Sequence, residues 1–390
     1  GMSVSDLTSL YTGKLLYKKI AVNATPEVWL NLQKTIADYN KKVLKEKGGI
    51  AKRIVGFYSE RSYIRDYPTG KLASSLIGFV NDQGAGAAGI EFSLDKTLTG
   101  VNGEYMYENG AGAIIPGSAK VKTVAKIGTS VRLTIDRDIQ WMAQSAISSA
   151  VSKSHAKSGT VIVMDPKTGA ILADASAPSF DPADPKTITL DDIRNPAVQD
   201  VYEPGSTGKV MTLAAALEEN LVTPTTVFTV PYKLRTKYKV FQDHESHPTQ
   251  HLTTAGILAV SSNTGTIQIG AKLSDQKLFD YLRAFGVGSS TNSGLPGESA
   301  GLINSPKDWS GTTKPAMSFG QAYSVTAMQA TSIFATIANN GVRVEPTVIA
   351  GTSDAQGHYT PAKPRKSTRV ISADTATKMR LMMESVVSAN

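Results

Sequence analysis

Tyr202-Glu203-Pro204-Gly205-Ser206-Thr207-Gly208-Lys209-Val210-Met211-Thr212-Leu213-Ala214-Ala215-Ala216-Leu217-Glu218 is the stretch around which the rest of the sequence is organised. The apolar residues from Val210 onward recur at three- and four-residue spacing, which predicts a helix that buries one face. Pro204-Gly205 predicts a turn just before it, so Ser206 is expected in the first turn of this helix. Lys209 follows three residues later, so its amine is expected on the same face, within reach of the serine proton. The pattern predicts a nucleophile beside a base.

The start of a helix favours this chemistry in two ways. Free backbone N–H groups and the positive end of the helix dipole stabilise negative charge at Ser206. The same field, together with burial among alanine and leucine neighbours, is expected to lower the pKa of Lys209 and favour the neutral amine. A Ser-x-x-Lys pattern is short and common, however. The alternative is therefore a serine that caps a core helix and a lysine that points into solvent.

The residues on either side of the Ser-x-x-Lys pattern favour the catalytic interpretation. Arg194-Asn195-Pro196-Ala197-Val198-Gln199-Asp200 and the run from Tyr202 to Lys209 closely resemble the active-serine region of penicillin-binding proteins, in particular the monofunctional, class B transpeptidases. The resemblance implies an α/β fold of the α+β type, in which a transpeptidase domain similar to serine β-lactamases follows a mixed α+β pedestal. It also implies three sequence elements, a Ser-x-x-Lys, a Ser-x-Asn and a Lys-Thr-Gly.

The second element is Ser261-Ser262-Asn263, which resembles the family's corner between two helices. By this resemblance, Ser261 relays a proton between Lys209 and the leaving amine, and Asn263 offers its amide to the substrate backbone and to Lys209. Taken alone, Ser-Ser-Asn is an ordinary loop composition. Its significance comes from its position well after Ser206, among neighbours that also match the family.

The third element, Lys-Thr-Gly, is spelled by Lys167-Thr168-Gly169, but this triplet follows an Asp-Pro pair between two apolar runs, 160–164 and 170–175. It therefore predicts the turn of a β-hairpin. In the family the catalytic triplet lies on a strand after the serine and after a helix like the one predicted over 373–387, and the sequence given ends at Asn390. We therefore expect a C-terminally incomplete transpeptidase domain, without the strand that supplies one of two oxyanion donors and holds the substrate carboxylate.

At 390 residues the chain is long enough for two or three domains. A Gly-, Ala- and Lys-rich stretch over 110–127 predicts a boundary, so we expect a non-catalytic pedestal over residues 1–125 and the transpeptidase domain over residues 126–390. In the second region Asp136 is expected to cap a helix, and Phe334 is expected on the buried side of another.

Composition excludes several kinds of site. The chain has no cysteine, which excludes disulfides, thiolate metal sites and cysteine nucleophiles. The net charge is +8, but the basic residues are spread along the chain and are not interleaved with aromatic side chains, which argues against a nucleic-acid partner.

No apolar run is long enough to span a bilayer, whereas Gly1-Met2-Ser3 resembles an expression remnant. We therefore expect a removed N-terminal anchor and a location on the extracytoplasmic face of a bacterial membrane.

Three histidines, His244, His247 and His251, raise the question of a metal site, because two of them lie four residues apart. Pro248 interrupts any helix that would align them, and no pair of carboxylates accompanies them at a fixed spacing. We therefore expect loop residues near the rim of the cleft, and neither a metal nor another cofactor.

The family resemblance implies acyl transfer in two steps. Ser206 attacks the carbonyl of a D-Ala-D-Ala stem peptide with Lys209 as base, D-alanine leaves, and the amine of a neighbouring stem takes the acyl group. β-Lactams resemble that dipeptide and are expected to acylate the same serine, and cell-wall synthesis or divisome proteins are expected partners. Two alternatives stay open. One is a β-lactamase-like hydrolase or penicillin sensor, and the other is a catalytically silent scaffold for cell-wall assembly.

Overall fold

The computed structural model describes residues 3–5, 8, 17–21, 24–60, 64–110, 113–184 and 187–388. It contains two compact units, Gly1–Asp66 and Tyr67–Asn390. The predicted boundary at residue 125 lies inside the second unit. The division into a pedestal and a transpeptidase domain therefore stays a prediction.

The described residues contain α-helices and mostly short strands. The helices are α1 (Pro26–Val43), α2 (Ser74–Ile77), α3 (Gly89–Ser93), α4 (Asp95–Leu98), α5 (Arg137–Ser154), α6 (Pro196–Gln199), α7 (Lys209–Glu218), α8 (Thr254–Ala259), α9 (Asn263–Gly270), α10 (Asp275–Ala284), α11 (Thr313–Ser318), α12 (Ala327–Ala338) and α13 (Ala373–Ser388). The strands are β1 (Glu104–Met106), β2 (Asn109–Gly110), β3 (Ala113–Ile114), β4 (Lys120–Thr123), β5 (Ser130–Leu133), β6 (Gly159–Met164), β7 (Ile171–Ala177), β8 (Val227–Val230), β9 (Lys233–Arg235), β10 (Val240–Gln242), β11 (Gln250–Thr253), β12 (Val342–Val344), β13 (Ile349–Ser353), β14 (Tyr359–Pro361) and β15 (Ser367–Arg369).

The first unit is built around α1. Thr25 caps the N-terminus of this helix by accepting a hydrogen bond from the Val28 amide at 3.4 Å, and Pro26 occupies the first helical position, where no backbone donor is needed. The Asn40 side chain binds both backbone groups of Ile54, at 2.8 Å each. These two bonds hold the extended segment after the helix against α1.

The second unit is organised around α7, whose residues from Lys209 to Leu217 are all buried. Helices α8, α9, α10 and α13 pack against it. The sequence predicted a helix that buries one face, and the structure buries this one all round. A helix surrounded by other helices is apolar on every side, because none of its faces meets water.

The sheets of the second unit are small and mostly antiparallel. Strands β6 and β7 form an antiparallel hairpin that packs against α5, and β5 pairs with β13 in the three-stranded sheet β14-β13-β5. A parallel bridge between Ala170 and Thr347 joins the hairpin to the segment before β13. This mixture of strands and helices agrees with the predicted α+β class. In the described part of the chain, no helix is both long enough and apolar enough to cross a bilayer.

The triplet Lys167-Thr168-Gly169 forms the turn of the β6–β7 hairpin, as predicted. Asp165 accepts hydrogen bonds from the Lys167 amide and from the Thr168 hydroxyl, both at 2.8 Å. Gly169 adopts a φ of 76°, a left-handed conformation that glycine tolerates without strain. The third family element is therefore not here.

The two helix predictions for the second region had different outcomes. Asp136 caps α5 as predicted, since its Oδ1 accepts from the amides of Asp138 and Ile139 at 3.0 Å. The prediction for Phe334 is wrong, because that residue is 37% exposed. Helix α12 buries Ile333 and Ile337 instead, and Phe334 lies about 100° further round the helix than Ile333.

Asp174 on β7 is a fully buried carboxyl group. One of its oxygens accepts a hydrogen bond from the Asn195 amide at 2.8 Å, and the other has no hydrogen-bond partner. Burial raises the pKa of Asp174 to about 6, although the bond from Asn195 opposes this rise. Asn195 also caps α6 by accepting from the Ala197 amide at 3.0 Å. The pair therefore joins β7 to the segment that leads to Ser206.

We predict that Asp174 makes folding less favourable as the pH rises through 6. A carboxyl group whose pKa is raised in the folded state stabilises the fold fully below its unfolded pKa, near 4, and this contribution is lost between about pH 4 and pH 6. The free energy of unfolding of the wild type minus that of Asp174→Asn should fall by about 2 kcal/mol from pH 4 to pH 7, as measured by denaturant titration. A difference that stays constant with pH would contradict this expectation.

Candidate active site

Ser206 lies in a single 3-10 turn, Gly205–Gly208, that leads directly into α7. The sequence predicted the first turn of the α-helix, but the Lys209 amide donates to the Ser206 carbonyl and closes a tighter, three-residue turn. Residues three apart are eclipsed in a 3-10 turn, so Lys209 still follows Ser206 on the same side. The Ser206 side chain is exposed, and its hydroxyl has no hydrogen-bond partner among the described residues.

The segment before α12 fixes the turn that carries Ser206. The Gly205 amide donates to the Gly320 carbonyl at 2.8 Å, and Tyr202 and Val325 exchange backbone hydrogen bonds at 3.0 and 2.9 Å. Gly320 has a φ of +91°, and a Cβ atom there would lie 1.8 Å from the Gly205 carbonyl oxygen. Glycine at this position therefore permits the close approach that positions the serine.

Lys209 is buried beneath this turn, with only 1% of its surface exposed. Its Nζ donates to the Ser261 carbonyl oxygen and to Ser261 Oγ, the latter at 3.0 Å. Burial lowers the pKa of Lys209 to about 8, and the negative charge of Asp243 opposes this change. An amine with this pKa is neutral in about one molecule in ten at pH 7, so the site contains a usable proton acceptor.

Ser261-Ser262-Asn263 forms the corner between α8 and α9, as the sequence predicted. Ser261 adopts a left-handed φ of 56°, and its amide donates to the Leu258 carbonyl at 3.0 Å, which ends α8. Ser262 Oγ then caps α9 by accepting from the Gly265 amide at 2.9 Å. The corner thereby places Ser261 against Lys209 and joins the two sequence elements across the fold.

The contact that Asn263 makes differs from the predicted one. Its Nδ2 donates to the Gln242 carbonyl on β10 at 3.1 Å. Within the described ranges, no hydrogen bond joins Asn263 to Lys209. The side chain therefore ties the corner to the β9–β10 hairpin, and its role toward a substrate stays a prediction.

Sequence reasoning missed Asp243, which is buried beside the corner. Its Oδ2 accepts from the Ser262 hydroxyl at 2.7 Å and lies 3.0 Å from His247 Nε2, and its Oδ1 accepts from the Thr264 amide at 2.8 Å. Burial acts to raise the pKa of Asp243, but the bonds from Thr264, Ser262 and His247 outweigh it and hold this pKa below its usual value. Asp243 lies 19 residues before Ser262, so no helical or strand periodicity connects the two in the sequence.

The three histidines occupy separate positions. His244 is exposed, His247 contacts Asp243, and His251 on β11 has its Nδ1 3.3 Å from Thr229 Oγ1. No group of three or more His, Cys, Asp or Glu side chains with the arrangement of a metal site occurs among the residues that the structure describes. His247 alone of the three joins the site, and it does so through Asp243.

These groups have the parts that nucleophilic catalysis needs. Ser206 exposes a hydroxyl at the start of a helix, where developing negative charge is stabilised. The buried amine of Lys209 can accept a proton, and Ser261 can exchange one with Lys209 through their hydrogen bond. The structure therefore joins two of the four predicted catalytic residues, Lys209 and Ser261, by a hydrogen bond. Ser206 lies on the turn that leads into Lys209, and Asn263 lies on the same corner as Ser261.

Known proteins resemble this chain in sequence. Residues 159–390 match the model of the penicillin binding protein transpeptidase domain. The chain is 38% identical over 331 residues to penicillin-binding protein PbpB of Mycolicibacterium smegmatis, covering 84% of this chain and 51% of that protein. It is 32% identical over 331 residues to the peptidoglycan D,D-transpeptidase FtsI of Escherichia coli, covering 82% and 53%. The chain thus spans about half the length of these curated relatives.

Solved structures are similar as well. Penicillin binding protein 3 from Mycobacterium tuberculosis superposes with a TM-score of 0.77 at 36% identity, covering 83% of this chain and 69% of that one, and the same protein has been solved in complex with aztreonam. A peptidoglycan synthetase from Bifidobacterium adolescentis superposes with a TM-score of 0.80 at 32% identity, covering 99% of this chain and 68% of that one.

We predict that the rate at which an acylating reagent modifies Ser206 rises about tenfold per pH unit up to about pH 8 and stops rising there, because only neutral Lys209 accepts the proton. Lys209→Met, which keeps the side-chain length without the amine, should lower this rate about 10²- to 10⁴-fold and remove the pH dependence. Mass spectrometry of the intact protein between pH 6 and pH 9 gives the rates.

Lys277→Met is the matched control for this experiment. Lys277 is an exposed lysine whose Nζ lies 2.9 Å from Glu219 at the end of α7, so the variant removes an amine near the same helix without touching the site. It should behave like the wild type. A Lys209→Met protein that keeps the wild-type pH profile would show that another group is the base.

Proposed function

This chain belongs to the penicillin-binding protein transpeptidase family, and from this premise we propose that it is a peptidoglycan D,D-transpeptidase that forms an acyl-enzyme on Ser206. The observation that carries the proposal is the hydrogen bond between the buried Lys209 amine and Ser261 Oγ at 3.0 Å, one turn from the exposed Ser206. Burial of an ionisable amine disfavours its charged form, which is what a proton acceptor at neutral pH needs.

In the first step, Ser206 Oγ attacks the carbonyl carbon of the penultimate D-alanine in a D-Ala-D-Ala stem peptide. Neutral Lys209 accepts the serine proton, and the negative charge moves to the carbonyl oxygen. The tetrahedral adduct collapses, the peptide C–N bond breaks, and the proton passes from Lys209 through Ser261 to the leaving nitrogen. The products are an acyl-serine ester and free D-alanine, and Lys209 is neutral again.

In the second step, the amine of a neighbouring stem peptide attacks the ester. It gives up a proton through Ser261 to Lys209, and the C–O bond to Ser206 breaks as that proton returns to the serine oxygen. The product is a new peptide cross-link. A β-lactam would enter the first step in place of the stem peptide, but its leaving nitrogen stays attached to the acyl group. The aztreonam complex of the mycobacterial relative supports this extension.

The proposal extends to the organisation of the protein. We assign a non-catalytic pedestal to residues 1–125 and the transpeptidase domain to residues 126–390, and the matched residues 159–390 fall inside the second assignment. We assign to the Asn263 side-chain amide, which is only partly buried, a hydrogen bond to the backbone of the substrate. Cell-wall synthesis or divisome proteins are the proposed partners. A membrane anchor N-terminal to this chain would hold it on the extracytoplasmic face of the membrane, where stem peptides are exposed.

We predict that a fluorescent penicillin labels this protein covalently at Ser206, tested on the protein in its full natural length. Ser206→Ala should abolish the label, because the nucleophile is gone. Ser261→Ala should slow labelling about a hundredfold, because the proton relay to the leaving nitrogen is lost. Ser154→Ala removes an exposed hydroxyl at the end of α5 and should label like the wild type, which controls for unspecific acylation.

The same label separates the proposal from its alternatives. A transpeptidase keeps the label for hours, and with a stem peptide as donor and an amine as acceptor it releases D-alanine and forms the cross-linked product. Loss of the label within minutes would point to a β-lactamase-like hydrolase, and a stable label without cross-linking would point to a penicillin sensor. A folded protein that takes no label at all would be the catalytically silent scaffold.

A further inference from the structure

The imidazole ring of His247 faces two hydrogen-bond acceptors. Its Nε2 lies 3.0 Å from Asp243 Oδ2, and its Nδ1 lies 2.7 Å from the Pro248 carbonyl oxygen. Neither oxygen can donate a proton, so each contact is a hydrogen bond only if the ring nitrogen carries one. A neutral imidazole has a single N–H group, whereas the imidazolium ion has two. The geometry therefore favours the charged ring.

The groups around the ring also favour its protonated form. The Pro248 carbonyl and the Asp243 carboxylate raise the pKa of His247, and burial opposes them only weakly. Tyr232 packs against the ring edge to face, with the ring centres 5.8 Å apart. The other titratable or charged groups near the pair are Lys233, whose Nζ lies 5.5 Å from the centre of the Tyr232 ring, the exposed His244 and Glu245 of the same loop, and Lys209.

Asp243 connects His247 to the catalytic corner. The oxygen that contacts His247 also accepts from the Ser262 hydroxyl at 2.7 Å, and the second oxygen accepts from the Thr264 amide at 2.8 Å. These bonds fix the residues on both sides of Asn263. A buried carboxylate that lost its cationic partner would be an unpaired charge, so the His247 proton stabilises the arrangement that holds the corner.

Asp243 also acts on Lys209 through its charge. The carboxylate favours the protonated lysine and so works against the neutral amine that the reaction needs. A positive charge on His247, 3.0 Å from the carboxylate, opposes this field. A neutral His247 would leave the field in place.

We propose that His247, as an imidazolium ion, is a positioning residue that works through Asp243 to hold the Ser261–Asn263 corner against Lys209 and to keep that lysine able to lose its proton. This inference deepens the proposed acyl transfer and rests on it. When His247 loses its proton it gives up one of two hydrogen bonds, frees Asp243 to shift, and exposes Lys209 to the full negative charge. Acylation of Ser206 should slow as a result.

Rate constants for acylation of Ser206 by a fluorescent penicillin, measured from pH 5.5 to pH 9, test the proposal. His247→Phe keeps a ring against Tyr232 but removes both N–H groups and the charge. It should lower the rate constant about tenfold at pH 7 and move the midpoint of the pH profile upward by about half a unit to one unit. His247→Lys restores a cation and should recover most of the rate. Asp243→Asn should also slow acylation but move the midpoint downward, because it removes the charge that opposes neutral Lys209.

His358→Gln is the matched control, because His358 forms an exposed pair with Asp354 at the same four-residue spacing and the same 3.0 Å distance. It should leave both the rate constant and the midpoint unchanged. Equal midpoints in the wild type and His247→Phe would overturn the proposal. Midpoints that shift in the same direction in His247→Phe and Asp243→Asn would overturn it as well. The proposed charge effects require midpoint shifts of opposite sign, whereas a purely structural loss gives no reason for them.

A readout that does not depend on activity keeps this proposal apart from the proposed function. The ¹⁵N chemical shifts of the His247 ring should show both nitrogens protonated at pH 7, above the value of about 6.5 at which a free histidine loses its proton. Amide exchange at Thr264 and Gly265 should become faster in His247→Phe. If the wild type is not acylated, the proposed function fails, and these two measurements decide whether the pair holds the corner. A neutral ring at pH 7 would overturn the inference even where Ser206 is acylated.

Discussion

A lysine amine buried in the helical core of the second unit is the constraint on which the rest of the site depends. Water cannot solvate Nζ of Lys209, so its hydrogen bonds have to come from the protein, and Ser261 supplies two of them. Ser261 offers both oxygens to the amine at a point where it adopts a left-handed backbone conformation. The corner between α8 and α9 is therefore shaped by the need to satisfy one amine, and the same burial lowers the pKa of that amine into the range where it can act as a base.

The serine has the opposite requirement, because its hydroxyl has to face solvent while its backbone stays fixed. The structure meets this requirement with a short 3-10 turn and a close backbone contact between Gly205 and Gly320. The contact is possible because Gly320 has no side chain, since a Cβ atom there would collide with the Gly205 carbonyl oxygen. The exposed Ser206 and the buried Lys209 are thus only three residues apart but are held by different segments. The segment before α12 holds Ser206, and the corner between α8 and α9 holds Lys209.

Asp243 shows that the requirements of geometry and charge conflict at this site. Its hydrogen bonds to Ser262 and Thr264 fix the corner that Lys209 needs, yet its charge makes neutral Lys209 less favourable. A second ionisable group, His247, lies where it can balance that charge. A site that depends on a neutral amine beside a carboxylate is expected to contain such a compensating group, because an isolated buried charge is costly.

The sequence by itself determined the features that depend on short spacings. These are the Ser206 and Lys209 pair, the hairpin turn at Lys167-Thr168-Gly169 and the cap at Asp136. The family to which the motifs pointed is confirmed by the comparisons. It also indicated the corner and, through the family resemblance, the contact of Ser261 with Lys209, but not the contacts of the corner with Gln242 and Asp243. Only the tertiary structure decided that Asn263 binds Gln242, that α7 is buried all round, and that Asp243 and His247 lie behind the corner. These contacts join segments that are distant in the chain, and the periodicity of a helix or strand carries no information about which distant backbone or side chain will meet it.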